Sequence, residues 1–224
     1  MREIVLDTET TGLKPDQGDR IVEIGCVELV NHLQTGERRQ WYINPERDMP
    51  AEAQAVHGLS AEFLAKFPVF GEIVGEFLDF IADSQLVIHN ASFDLGFLNA
   101  ELKRLSLPPL PAARALDTVK MARQKFPGAQ ASLDALCRRF NIDNSNRTQH
   151  GALLDSMLLA ECYLELLGGR QTNLVLTTTA KTAGASSGRQ TREQRPPRPH
   201  QPSPEEVEAH QALLKQLKAP VWLS

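Results

Sequence analysis

The 224-residue sequence predicts an α/β layered domain with a mixed sheet, followed by a flexible C-terminal tail. Three observations carry this. The chain opens with three β-rich runs joined by short, turn-rich links, which suit antiparallel hairpins. Strand-like and helix-like runs then alternate, as parallel crossovers require. After Gly169 the apolar pattern stops, and Thr, Gly, Ser, Arg and Pro take over.

Val and Ile density over residues 4–7 and 20–30 predicts two strands, and "RRQWYIN" (38–44) a third. The links "GLKPDQGD" and "NHLQTG" hold the turn residues that close a three-stranded meander. "SAEFLAKF" (60–67), with Ser60 as N-cap, reads as a helix, as does 69–83, where apolar residues recur every three or four positions. "QLVIHN" (85–90) is too short and β-branched for a helix, and "ASFDLGFLNAELKRL" follows it with helical periodicity. "ALDTVKMARQKF" repeats that strand-then-helix pattern more weakly. "SLDALCRRF" is a short helix, and residues 150–169 form a strongly periodic one ending at a glycine pair.

The predicted organisation is a domain over 1–169, a linker over 170–202 and a docking segment over 203–224. The linker composition cannot bury enough apolar surface to offset the entropy of ordering it. In the last segment Ser203 and Glu206 have capping-box spacing and Pro204 takes the first helical position. This helix is too short to make its own core, which points to docking on a partner.

Composition narrows the function classes. With 42% hydrophobic and 23% charged residues, no stretch approaches the ~20 consecutive apolar residues of a membrane span. Met1, Arg2 and Glu3 lead straight into a strand rather than a signal peptide, so a cytoplasmic protein with no membrane partner is expected. Cys26, Cys137 and Cys162 show no paired spacing and read as core thiols. A net charge of -4 argues against gripping nucleic acid by bulk electrostatics, so any such contact is local or assisted by cations.

The chemistry lies in carboxylates placed among apolar residues. Asp7 and Glu9 are two apart at a strand end, so both project to one face, roughly 6 to 7 Å apart, with Thr8 on the other. Asp94 shares its helical face with Phe97 and Leu98, and Asp155 with Leu158, Leu159 and Cys162. An ionised carboxylate there is costly unless compensated, and no Lys or Arg occupies those helical neighbour positions. Four converging acids would repel one another, and a hard divalent cation is the economical remedy. His150 precedes Asp155 by five residues, off its helical face, at the mobile mouth of the helix; its intrinsic pKa suits taking a proton from water. Taken singly, each also has a structural reading: Asp7 as a turn cap, Glu9 as solvated, Asp94 and Asp155 as backbone-bonded, and His150 as a surface residue at a helix start. Asp16, Asp19, Asp117 and Asp134 lie in turns or beside polar residues and read as structural.

Three separated motifs, "VLDTETTG", "VIHNASFDLGFL" and "HGALLD", resemble those of the DnaQ-like, DEDDh class of 3′-to-5′ exonucleases. "AVHGLS", "FPG" and "SLDALC" extend the resemblance over most of residues 4–169. It implies an RNase H-like fold, with a five-stranded mixed sheet flanked by helices. It further implies that Asp7, Glu9, Asp94 and Asp155 hold two Mg²⁺ or Mn²⁺ ions, that His150 is the general base, and that nucleoside 5′-monophosphates are released. Glu52 and His57 fall where the family contacts the terminal nucleotide, with Asp7, Glu9, Asp155 and the Thr8 and Thr10 backbone in the same pocket.

Within the family, the resemblance is to members that proofread for bacterial DNA polymerase III. That implies a DNA 3′ end, the polymerase alpha subunit, the sliding clamp (beta subunit) and a small accessory subunit as partners. "QTNLVL" resembles a clamp-binding motif with Gln171, Leu174 and Leu176 as anchors, although it lacks an aromatic and reads equally as the end of the preceding helix. Residues 203–224, including Trp222, resemble a polymerase-docking segment. A free-standing RNA or single-strand exonuclease and a non-catalytic scaffold remain the rival readings. The tail argues against the first, and the presence of all five catalytic positions against the second.

Overall fold

The computed structural model describes residues 1–145, 147, 149–169 and 202–216. Its centre is β1 (Arg2–Thr10), which pairs antiparallel with β2 (Ile21–Val30), itself antiparallel to β3 (Leu33–Tyr42). On the other edge of β1, β4 (Gln85–Ile88) runs parallel to it, and β5 (Ala115–Asp117) runs parallel to β4. The five strands lie in the order β3-β2-β1-β4-β5, the predicted meander followed by crossovers.

Alternation along β1 divides the core. Ile4 and Leu6 point to one face, where Phe70 and Phe77 of α3 (Phe70–Ile81) and Phe97 and Leu98 of α4 (Ala91–Arg104) cover them. Val5 points to the other, toward Leu136 of α6 (Leu133–Phe140) and Leu159 and Tyr163 of α7 (Ala152–Leu167). Cys26, Cys137 and Cys162 are buried free thiols, as expected. The strand-then-helix reading of 115–126 appears as β5 and α5 (Thr118–Lys125), which Asp117 caps by accepting from the Val119 amide at 2.9 Å.

Three local expectations are corrected. β3 begins at Leu33 rather than residue 38, because its polar residues form an exposed sheet edge with no buried face to leave an apolar pattern. The helix expected over 60–67 is a single turn, α2 (Ala61–Leu64), although Ser60 does cap it, accepting from the Phe63 amide at 3.1 Å. Before it lies an unpredicted helix, α1 (Ala51–His57), which buries only His57 and so shows no apolar periodicity.

The chain divides into two units, Met1–Val175 and Leu176–Ser224. In the second, α8 (Pro204–Gln216) begins with the expected reciprocal cap: Ser203 N donates to Glu206 at 2.8 Å, and Glu206 N donates to Ser203 at 3.2 Å. Gln171, Leu174, Leu176 and Trp222 lie outside the described residues. No described helix is long and apolar enough to cross a membrane.

Two ties set the helices that carry the acids. Glu101 of α4 is buried and accepts from Arg20 at 2.6 and 2.9 Å, fastening α4 to the start of β2. The first turn of α7 rests directly on β2: a Cβ at Gly25 would lie 2.2 Å from the Ala152 carbonyl carbon, and Ser156 Oγ donates to Gly25 O at 3.0 Å. Gly25→Ala is therefore expected to destabilise the domain by about 1–3 kcal/mol, read as a lower urea midpoint. The exposed helical Gly75→Ala, with nothing near its Cβ, is expected to stabilise it by about 0.5–1 kcal/mol. Equal effects from both would show that α7 does not depend on this contact.

Candidate active site

β1 runs out of the core into a cluster of acids. Asp7 lies opposite Gly25 and Glu9 opposite Glu23 on β2, so both acids share the face covered by α7. Asp155 sits in the first turn of α7 and is almost wholly buried. Asp94 sits in the first turn of α4, equally buried, and Thr8, on the opposite face of β1 from Asp7, donates to its Oδ1 at 2.7 Å. The four acids that the sequence singled out thus meet at one strand end.

Their electrostatics are those of an over-charged cluster. Burial, then Asp94, Glu9 and Asp155, hold the Asp7 carboxyl well above the usual range. Burial and the charges of Asp155, Glu23 and Asp94 push Glu9 to about 8. Burial pushes Asp94 to about 7 against the lowering effect of the Thr8 hydroxyl.

Glu23 is a fifth carboxyl that sequence reasoning passed over. It is buried, accepts from Gln40 at 2.7 Å and receives the Ala152 and Leu153 amides of the α7 N-terminus, yet burial still raises its pKa. A Glu set between Val22 and Ile24 in a buried stretch was the available signal.

The structure also supplies a cation that the helical-neighbour argument missed. Arg147, in the loop before α7, forks onto Asp155 with Nε to Oδ1 at 2.5 Å and Nη2 to Oδ2 at 2.7 Å. Its Nη1 donates to Asp134 at 2.8 Å, and its Nη2 lies 2.9 Å from His150 Nδ1. Asp134 is thus tied to the site through Arg147, beyond the local role assigned to it. Arg147 belongs to the polar run "DNSNRTQ", where position along the chain says nothing about what the loop reaches.

His150 is half-exposed at the mouth of the cluster, its Nδ1 3.5 Å from Asp155 Oδ2. Ligand-type atoms of Glu9, His150 and Asp155 all lie within 4.8 Å of one another. The segment expected to be loose is tied to α1, because the His150 amide donates to Val56 O at 3.1 Å.

Beside the acids lies a cavity of about 540 Å³ whose lining includes Thr8, Glu9, Thr10, Glu52, His57 and Phe93. The structure therefore brings the expected nucleotide-contacting residues together with Glu9, while Asp7 and Asp155 do not line this cavity. The Leu59 amide donates to His57 Nδ1 at 3.0 Å, which leaves the proton on Nε2. That buried Nε2 finds no hydrogen-bond partner among the described residues, and burial lowers the pKa of the ring. The Thr10 backbone opposes that lowering, so the ring also faces β1 at the cavity wall.

A donor set of carboxylate oxygens with one imidazole fits a hard divalent cation, and the upward shifts say that the protein's own cation leaves most of the charge uncompensated. The shifts also fix a pH dependence. Without metal, folded Glu9 and Asp94 keep protons that the unfolded chain releases near its ordinary values of 4.5 and 3.8. The folded state then binds more protons than the unfolded one, so these two groups make stability fall as pH rises from about 4 to about 8. The melting temperature in EDTA should decline across that window, and saturating Mg²⁺ should flatten the decline. A flat curve in EDTA would contradict the assignment.

Comparison with known proteins agrees with this geometry. The exonuclease family model (RNase_T) matches residues 4–163. DNA polymerase III subunit epsilon of Rickettsia conorii is 59% identical over 174 residues, covering 76% of this chain and 76% of that protein. Its counterpart in Escherichia coli is 44% identical over 224 residues, covering 95% and 92%. Among solved structures, the nuclease domain of 3′hExo, a DEDDh family member bound to rAMP, superposes with a TM-score of 0.65 at 21% identity, covering 74% of this chain and 91% of that one. Exonuclease X in complex with 5′-overhanging duplex DNA does so with a TM-score of 0.58 at 25% identity, covering 74% and 90%. On this evidence the chain belongs to the exonuclease family, among the epsilon subunits of DNA polymerase III.

Proposed function

We propose that this 3′-to-5′ exonuclease removes mispaired 3′-terminal nucleotides from DNA within a replicative polymerase. The observation that carries the reading is the convergence of Asp7, Glu9, Asp94, Asp155 and His150, from β1, α4, α7 and the loop before it, beside a cavity lined by Glu52 and His57. Asp7, Glu9, Asp94 and Asp155 would hold the divalent cations. Four carboxylates carry the charge that two such ions balance, which supports a pair of Mg²⁺ or Mn²⁺. When bound, the ions supply activation of water and stabilisation of the leaving 3′ oxygen.

The chain's own residues do the rest. Thr8 orients Asp94, and the Gly25 contact seats α7 so that Asp155 faces Glu9. His150, open to solvent on one side, accepts the proton from the attacking water and passes it to bulk. Phe93 and Val56 give the cavity apolar walls for a base, and His57 Nε2 donates to an acceptor on the terminal nucleotide. A frayed end enters such a cavity more cheaply than a paired one, because a mismatch lowers the unpairing cost by a few kcal/mol.

The polymerase setting is supported by relatives named as polymerase subunits and by an alignment to the Escherichia coli relative that takes in 95% of this chain, tail included. The exposed Val207 and Leu213 of α8 suit docking on the polymerase alpha subunit. Gln171, Leu174 and Leu176 would engage the sliding clamp, the linker keeping the nuclease near the polymerase at high effective concentration.

Replacing Asp7 and Glu9 together by Ala is expected to abolish Mg²⁺-dependent hydrolysis of a 3′-mispaired oligonucleotide; residual activity at the parental rate would refute the metal-site reading. His150→Ala should lower kcat by about 10²–10⁴ with KM little changed. Truncation after Gly169 should preserve hydrolysis and lose capture of the polymerase; retained capture would refute the docking assignment.

A further inference from the structure

Arg147 engages two of the proposed catalytic groups at once. Its Nη2 donates to Asp155 Oδ2 at 2.7 Å and to His150 Nδ1 at 2.9 Å, while Nε holds Asp155 Oδ1. In this arrangement both oxygens of Asp155 face a fixed positive charge, and the lone pair of His150 Nδ1 is taken up by a donor. Neither group is free for the role it has in hydrolysis.

A guanidinium cannot leave by losing its proton, so it must be displaced bodily. The geometry offers it a place to go. Nη1 is already bonded to Asp134 at 2.8 Å, and that carboxylate is half-exposed rather than buried. Arg147 can swing off Asp155 about its Asp134 contact without losing every partner. A divalent cation at Asp155 would repel the guanidinium and drive this movement, and because one nitrogen bridges Asp155 and His150, releasing the first releases the second.

We infer that Arg147 is a metal-displaced latch: in the metal-free enzyme it occupies the ligand Asp155 and the proton acceptor His150 together, and loading of a divalent cation frees both in one movement while Asp134 retains the guanidinium. This rests on the reading of Asp155 as a metal ligand. It makes Arg147 a positioning residue that couples base availability to metal occupancy. It also accounts for how so acidic a cluster persists before metal arrives, since the latch neutralises its α7 member.

The test is Mn²⁺ binding to the full chain, followed by the electron paramagnetic resonance of free Mn²⁺, in wild type, Arg147→Gln and Asp134→Asn. Removing the latch should tighten Mn²⁺ binding about ten-fold, the gain when a binding-competent fraction of about one tenth becomes complete. It should also lower the melting temperature in EDTA. Asp134→Asn, which removes the resting place but keeps the Asp155 pair, should weaken binding.

A second readout is the Arg147 Nε–H proton resonance, which should be protected in EDTA and shift or vanish with Mg²⁺. Unchanged or weaker binding in Arg147→Gln would overturn the latch, as would tighter binding in Asp134→Asn, which stands as an independent check if the first variant folds poorly. If wild type itself bound no Mn²⁺, or if replacing Asp7 and Glu9 by Ala left its binding unaltered, the metal-site reading would fail first and the latch with it.

Discussion

Mutual repulsion among buried carboxylates at the end of β1 is the constraint around which this molecule is arranged. Asp7, Glu9, Asp94 and Asp155 are drawn together where solvent cannot screen them, and Glu23 adds a fifth from the neighbouring strand. Such a cluster raises the free energy of the folded state unless positive charge enters it. The protein meets the cost in part from within: Arg147 forks onto Asp155, Thr8 donates to Asp94, and the α7 amides face Glu23. Cations from solution meet the remainder, and their high local field is what the chemistry uses.

Holding repelling groups at fixed positions demands a stiff frame. β1 is sheathed by a strand on either edge and by apolar helices on both faces, so Asp7 and Glu9 emerge from a segment with no freedom to retreat. The two helices that complete the cluster are anchored at opposite ends, α7 at its first turn and α4 at its far end. The Gly25 contact lets α7 approach β2 at backbone distance, and the Arg20–Glu101 pair fastens α4. His150 rests on a loop tied to α1 through its own amide and the Val56 carbonyl, and its side chain stays half-exposed where the acids are buried.

The elements legible from sequence were those whose pattern records burial. β1, β2, β4, α3, α4 and α7 sit in the cores and show the periodicity that a buried face imposes. β3 beyond its last residues and α1 were illegible for the converse reason: one is a polar edge strand and the other nearly all exposed, so no periodic apolar signal exists. At the site, the acids in apolar company and the histidine beside them were recognisable as residue types out of place. Arg147 and Glu23 were not singled out, Arg147 because an arginine in a polar loop is ordinary until the loop's destination is known, Glu23 because its cross-strand neighbour Glu9 had to be placed first.

By itself, then, the sequence determined the order of the buried elements and the identity of four of the acids, since these depend on spacing along the chain and on the cost of burying charge. The tertiary structure alone decided which groups neutralise which. Asp155 meets Arg147 eight residues away through a loop, Asp94 meets Thr8 across 86 residues, and His57 lines a cavity whose walls come from β1, α1 and α4. Electrostatic pairing acts through distance in space, which chain position does not encode for loops, and so the balance of charge at the site becomes visible only once the chain is folded.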